Sequence, residues 1–241
     1  MSEGIAFVVY GDDYDKTGSV CARISRQNTD LPFLVLADHP RTTRWEGIKG
    51  VIWRKVSYAH NRSAKILGVY TETPFDRTVY LDCDSVIQKR GIGCAFRMLR
   101  NSDVVLYPCY KWNKNSEILR IYKRAMEMFG VCTPVTVWQG GIFGFVKNDR
   151  VKAFLYDWHM RWDIFGRQRE MPCLMAAAYH NSDRLGIGEL SENIFAYECG
   201  LSDEYVVQHY TGGDFVAKFN VPRLNKKAPK GNVDDFDWIA Q

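Results

Sequence analysis

Thr78-Val79-Tyr80-Leu81-Asp82-Cys83-Asp84-Ser85-Val86-Ile87 decides the reading of this chain, because an apolar, strand-like run delivers two carboxylates to its own end. In an extended backbone residues two apart point to the same side, so Asp82 and Asp84 face one pocket while Cys83 turns into packing. Two converging carboxylates at the C-terminal end of a strand suit a hard divalent cation, which takes oxygen ligands and keeps positions open for phosphate oxygens or water. A nucleotide diphosphate is the partner such an anionic claw expects. An isolated Asp-x-Asp triplet more commonly caps a turn or ends a solvated strand, so its weight rests on the apolar lead-in and on the surrounding chain.

Upstream, Ile5-Ala6-Phe7-Val8-Val9-Tyr10 is a continuous apolar run of strand length, the pattern of a strand buried on both faces in a helix-covered parallel sheet. Gly11-Asp12-Asp13-Tyr14 then reads as a glycine-containing loop, placed where open α/β sheets set their ligand crevice. The alternative is that Asp12 and Asp13 cap the next helix and Tyr14 packs. Neither Gly-x-Gly-x-x-Gly nor a Walker sequence occurs, which leaves dinucleotide and P-loop readings unsupported. Residues 16–27 form a helix with Val20, Cys21 and Ile24 inward, and residues 31–38 a second buried strand, completing a βαβ unit. Residues 51–53 supply a short third strand, and 62–71 a helix with Ile66, Leu67 and Tyr70 inward.

Beyond the claw, a loop enters a short helix over 91–99 and a strand follows over 104–107. The aromatic connection Tyr107 to Trp112 is either a platform for a sugar or base or the packing of a lid. Ile118, Tyr122, Ala125, Met126 and Phe129 give an amphipathic helix over 117–129; Val151, Phe154, Leu155, Trp158 and Trp162 give another over 151–162. Between them, Gly140 and Gly141 open an apolar strand over 137–146, which implies a backbone closely approached or bulged. A late strand over 205–210 ends in His209, a type of position usually filled by a hydrogen-bonded surface histidine.

With 241 residues, 46% apolar and 14% aromatic, the chain has material for one large α/β core. A net charge of +4 falls short of a dedicated nucleic-acid binder while still welcoming an anionic ligand. Seven scattered cysteines without a Cys-x-x-Cys indicate neither a disulfide framework nor a zinc module, and read as small core residues in a reducing compartment. The start Met1-Ser2-Glu3-Gly4 has no basic, long apolar leader, and no apolar stretch approaches ~20 residues, so a cytoplasmic protein without a membrane span is expected.

Lys65-Ile66-Leu67 followed by Thr73-Pro74-Phe75-Asp76-Arg77 and the claw strand resembles the core of GT-A-fold glycosyltransferases, particularly glycosyltransferase family eight and its nucleotide-diphospho-sugar transferase relatives. Their pattern is a helix carrying Lys or Arg, a Pro-Phe/Tyr-Asp/Glu-Arg turn and a strand ending in Asp-x-Asp. The resemblance implies an α/β fold: a single GT-A-like domain over 1–222, its mixed, mainly parallel sheet flanked by helices, with 223–241 as a polar tail or flap. It implies a metal-dependent glycosyltransferase that moves a sugar from a nucleotide diphosphate sugar, a UDP-sugar, to an acceptor left unidentified.

The site residues follow from the same resemblance. Tyr10, Gly11 and Tyr14 would receive the nucleotide base, with Tyr14 stacked on it; Lys65 would contact the diphosphate, and Arg62 is read as a solvated helix-face cation. Asp82, Asp84 and His209 would hold Mn²⁺ or Mg²⁺, the imidazole favouring Mn²⁺. Gln139, Gly140 and Gly141 stand on a segment that lines the donor sugar, where an amide suits sugar hydroxyls or a forming oxocarbenium. Glu170 sits where relatives carry an acidic residue leading a helix. It is the one named candidate for an inverting base, or otherwise a carboxylate favoured by the helix dipole. His209 and Gly212 match a His-x-x-Gly-x-x-Lys segment whose last position is Phe215 here, leaving Lys218 as a substitute for the diphosphate contact. Family eight resemblance favours retention of configuration. A sugar nucleotidyltransferase, or a glycosyltransferase acting on a DNA or RNA base through Lys226, Lys227 and Lys230, are the alternatives; nucleic acid is allowed but not favoured as acceptor.

Overall fold

The computed structural model describes residues 1–108, 116–131, 135–191, 195–197 and 205–210. In chain order the elements are β1 Glu3–Val9, α1 Gly11–Ser25, β2 Phe33–Ala37 and β3 Val51–Lys55. An interrupted helix follows, made of α2 Asn61–Ser63, a π-helical turn Ala64–Gly68 and α3 Val69–Glu72. Next come β4 Arg77–Leu81, β5 Ser85–Ile87, α4 Gly93–Met98, β6 Val104–Pro108, α5 Ser116–Met128 and β7 Trp138–Val146. Two helices, α6 Asp149–Ile164 and α7 Glu170–Asn181, and three short strands, β8 Ile187–Glu189, β9 Phe195–Tyr197 and β10 Val207–His209, complete the described chain.

Seven strands form one sheet in the order β3-β2-β1-β4-β7-β6-β8, parallel throughout except for β7, which runs against β4 and β6. A second sheet, β5-β10-β9, sits at its end. The continuous apolar runs have the expected cause, because each strand feeds two cores. From β1 and β2, Ala6, Val8, Leu34 and Leu36 join the core that holds Ile66, Leu155, Trp158 and Leu174. Their neighbours Ile5, Phe7, Val9, Phe33 and Val35 join the core with Trp45, Ala95 and Phe96 on the opposite face. This is the period-2 alternation with both faces covered by helices. On α6, Val151, Phe154, Leu155, Trp158 and Trp162 are all buried, as their spacing predicts. On α5, Tyr122 and Ala125 are buried; the side chain of Ile118 lies outside the described residues.

Three expectations are corrected. The claw strand does not carry the carboxylates itself: β4 stops at Leu81, a turn closed by Ser85 N–H to Asp82 O (2.9 Å) holds Asp82 and Asp84, and β5 joins the second sheet. Residues 11–14 are no loop, since α1 begins at Gly11, whose positive φ of 73° turns the chain out of β1 and whose N–H donates to Asp38 Oδ1 at 3.0 Å. The buried residues of α1 are mostly small or polar, Asp15, Gly18, Ala22 and Ser25 among them, with Ser25 Oγ accepting from Ile87 N–H of β5 at 2.9 Å. Gly18 allows a close approach to β1, for a Cβ there would stand 2.7 Å from Val9 Cγ1. Cys21 packs instead with Val86 and Tyr210, with Val20 and Ile24 against them.

No helix among the described residues is long and apolar enough to cross a membrane. The aromatic stretch from 109 to 112 and the tail over 223–241 lie outside the described residues.

Candidate active site

Parallel neighbours β1 and β4 end at the same edge of the sheet, which brings the β1–α1 junction beside the turn that holds Asp82 and Asp84. The turn sets the two carboxylates on one side while Cys83 is buried between them, 5% exposed. Burial, then Asp84 and Asp82, push the Cys83 thiol well up, so it stays protonated and inert. The second sheet supplies the third member. β10 runs antiparallel to β5 with His209 opposite Ser85, and Tyr210 N–H donates to Asp84 O at 2.9 Å.

His209 Nε2 then stands 2.9 Å from Asp84 Oδ1 and 3.7 Å from Asp82 Oδ2. The ligand atoms of the three residues lie within 4.8 Å of one another, a spacing that two metal–ligand bonds of roughly 2.0–2.4 Å can bridge after small rotations. Burial disfavours the imidazolium, but Asp84 and Asp82 outweigh it and raise the His209 pKa. Two carboxylates and one imidazole, the carboxylates still partly exposed, fit a divalent cation that keeps open positions.

The paired glycines of β7 border this cluster on two sides. Asp82 N–H donates to Gly141 O at 2.8 Å, and a Cβ at 141 would stand 2.9 Å from Asp82 Oδ2 and 3.8 Å from His209 Nε2. A Cβ at 140 would meet Lys65 Nζ at 3.5 Å and Glu170 Oε1 at 3.7 Å. The β6/β7 register also slips here, with Leu106 opposite Phe143 but Tyr107 opposite Gln139. The glycines therefore mark both a bulge and a close approach. Gln139 is buried, and its Oε1 accepts from Gly141 N–H at 3.2 Å.

A chain of alternating charges leads away from the claw, through buried Lys65 and partly buried Glu170 to half-exposed Arg62. Lys65 Nζ, placed by the π-helical turn and 5% exposed, sits 3.2 Å from Asp82 Oδ1 and 3.3 Å from Glu170 Oε1. Glu170 Oε2 accepts from Arg62 Nε at 2.8 Å. Burial pushes Glu170 up, but Lys65 and Arg62 overcome it and hold the carboxyl at about 2. Burial works against charge on Lys65 as well, and Asp82 with Glu170 raise its pKa regardless. Reading Arg62 as a solvated cation is thereby corrected: its partner lies 108 positions away in the chain, where no local pattern could show it.

Tyr10 stands at the N-cap position of α1 without a side-chain capping bond, and its hydroxyl donates to the Tyr58 carbonyl at 3.4 Å. Tyr14 is exposed on the first turn of α1, and desolvation of its hydroxyl, then its neighbours Cys83 and Asp84, raise its phenol. The structure thus gathers Asp82, Asp84, His209, Lys65, Gly140, Gly141, Gln139 and Glu170, with Tyr10, Gly11 and Tyr14 at the adjoining strand end. Gly212 and Lys218 lie outside the described residues. Two participants went unnoticed in the sequence. Tyr80 donates to Asp82 Oδ1 at 2.7 Å, and its place two residues before Asp82 in the apolar lead-in was the available signal. Asp38, at the end of β2, tethers Gly11.

No protein-family model matches the sequence, and no curated protein matches it. Among solved structures the chain resembles the galactosyltransferase LgtC in complex with donor and acceptor sugar analogues, with a TM-score of 0.62 at 11% identity and 87% of each chain covered. It resembles the bifunctional glycosyltransferase WbbM at 0.61 and 11% identity, covering 88% of this chain and 46% of that one. An active-site mutant of LgtC follows at 0.56 and 12% identity, with 87% of each chain covered. At such identities the likeness is one of fold: the chain is a GT-A-like α/β domain with a mixed, mostly parallel seven-stranded sheet flanked by helices.

Proposed function

We propose that this chain is a metal-dependent glycosyltransferase that moves a sugar from a nucleotide diphosphate sugar, a UDP-sugar, to a non-nucleic-acid acceptor. The observation that carries the proposal is the convergence of Asp82, Asp84 and His209, from two sheets, at the strand edge of a fold shared with known glycosyltransferases. Those three residues would hold Mn²⁺, which when bound supplies a Lewis acid that neutralises charge developing on the departing diphosphate.

The protein's own groups do the remaining work. Tyr14, exposed at the rim, stacks on the nucleobase. An ammonium has three donors, and Asp82 and Glu170 engage two of those on Lys65, which leaves one for a diphosphate or sugar oxygen. Gln139 and the glycine backbone beside it line the sugar. Glu170, held at about 2, is a weak proton acceptor at neutral pH; its part is to fix Lys65 and Arg62 and to accept from sugar hydroxyls. The resemblance to family eight favours transfer with retention of configuration.

UDP at ~100 times its dissociation constant, with Mn²⁺ present throughout, should stabilise the fold by about 2.7 kcal/mol, and EDTA should remove the effect. Thermal melting checks this, and the absence of a shift with any nucleoside diphosphate would end the donor assignment.

A further inference from the structure

The two oxygens of Asp82 have different surroundings. Oδ1 is engaged from within the protein, accepting from Tyr80 Oη at 2.7 Å and from Lys65 Nζ at 3.2 Å. Oδ2 is the oxygen 3.7 Å from His209 Nε2 and 2.9 Å from the point where a Cβ at 141 would stand. The carboxylate torsion of an aspartate is broad and roughly two-fold, so nothing in the side chain itself chooses between its oxygens. Tyr80 does choose. Its ring is 3% exposed, stacked on Phe143 at 5.0 Å, with Lys65 Nζ 5.2 Å from its centroid. A phenol clamped in this way cannot follow Asp82 if the carboxylate turns.

We propose that Tyr80 is a positioning residue: its hydroxyl pins Oδ1 of Asp82 and so commits Oδ2 to the cation site, while the missing side chain at Gly141 leaves Oδ2 the room to stand there. The proposal rests on the reading of Asp82, Asp84 and His209 as cation ligands. Hydrogen bonds that orient a ligating carboxylate commonly carry a 10–100-fold share of metal affinity.

The test is Mn²⁺ binding to the purified chain, read from the free-ion electron paramagnetic resonance signal, with wild type, Tyr80→Phe, Gly141→Ala and Asp82→Asn compared. Tyr80→Phe keeps the stacked ring and removes only the hydroxyl. Its Mn²⁺ dissociation constant should rise by about 10–100-fold while the circular dichroism spectrum stays that of wild type. Excess Mn²⁺ should restore turnover, which a merely structural defect would not allow. Gly141→Ala should weaken Mn²⁺ binding with Tyr80 intact, by crowding Oδ2. If Tyr80→Phe binds Mn²⁺ like wild type while Asp82→Asn does not, the cation site stands and the role of Tyr80 is refuted. If Tyr80→Phe fails to fold, Gly141→Ala decides, and unchanged Mn²⁺ affinity there overturns the proposal. A wild-type chain that binds no Mn²⁺ removes the cation reading and this inference with it.

Discussion

Asp15 and Asp82 both lie at the C-terminal edge of the sheet, and they are solvated in opposite ways. Asp15 is fully buried and satisfied on both oxygens: Trp45 Nε1 donates to Oδ1 at 2.7 Å, Thr42 Oγ1 and Arg44 Nη1 to Oδ2 at 2.7 and 2.8 Å. It ties α1 to the connection between β2 and β3. Asp82 has an engaged oxygen and another turned toward Asp84 and His209, with a side chain 30% exposed. A buried charge with all its donors in place is a fixed part of the architecture, because removing it strands its partners. A carboxylate left half open beside another carboxylate and an imidazole is where the proposed cation would sit.

Substitutions at the two positions should therefore separate activity from stability. The largest effect belongs to Asp84→Asn, which preserves shape and deletes a charged ligand. Turnover should fall about 1,000-fold, equivalent to about 4 kcal/mol of barrier, with ligand-free melting almost unmoved; unfolding in its place would make the claw structural. Asp15→Ala should do the reverse, costing about 1–3 kcal/mol by leaving the buried Trp45 Nε1 without its acceptor and removing those of Thr42 and Arg44, although Arg44 keeps Asp12. At 2–4 °C per kcal/mol that is a drop of roughly 2–12 °C in Tm, measurable without any ligand.

Acid should act more gently, through Glu170. Its folded pKa, about 2, lies below the unfolded value near 4.5, so its contribution is fully present above pH 4.5 and drains away as pH falls toward 2. The loss amounts to roughly 3 kcal/mol at most, and Glu170→Gln should flatten the denaturant midpoint between those pH values. The smallest effect is expected at Asp12, which pairs with Lys16 and Arg44 at the surface. Asp12→Asn should leave Tm within measurement error; a large drop there would dissolve the distinction between it and Asp15, its neighbour on the same Arg44.

The sequence by itself determined the sheet and the place of the claw. Continuous apolar runs in β1 and β2, helical spacing in α6 and an Asp-x-Asp behind an apolar lead are local patterns, readable because each element records its own environment. Tertiary structure alone decided that the claw strand breaks at Leu81, since the break exists to let β5 pair with β10 and bring His209 in from more than a hundred residues away. It alone decided that Arg62 meets Glu170 and that Asp15 is saturated by residues 27 to 30 positions downstream. Hydrogen bonds and ion pairs between distant segments leave no periodicity in the chain, because the fold, not the spacing, brings donor and acceptor together.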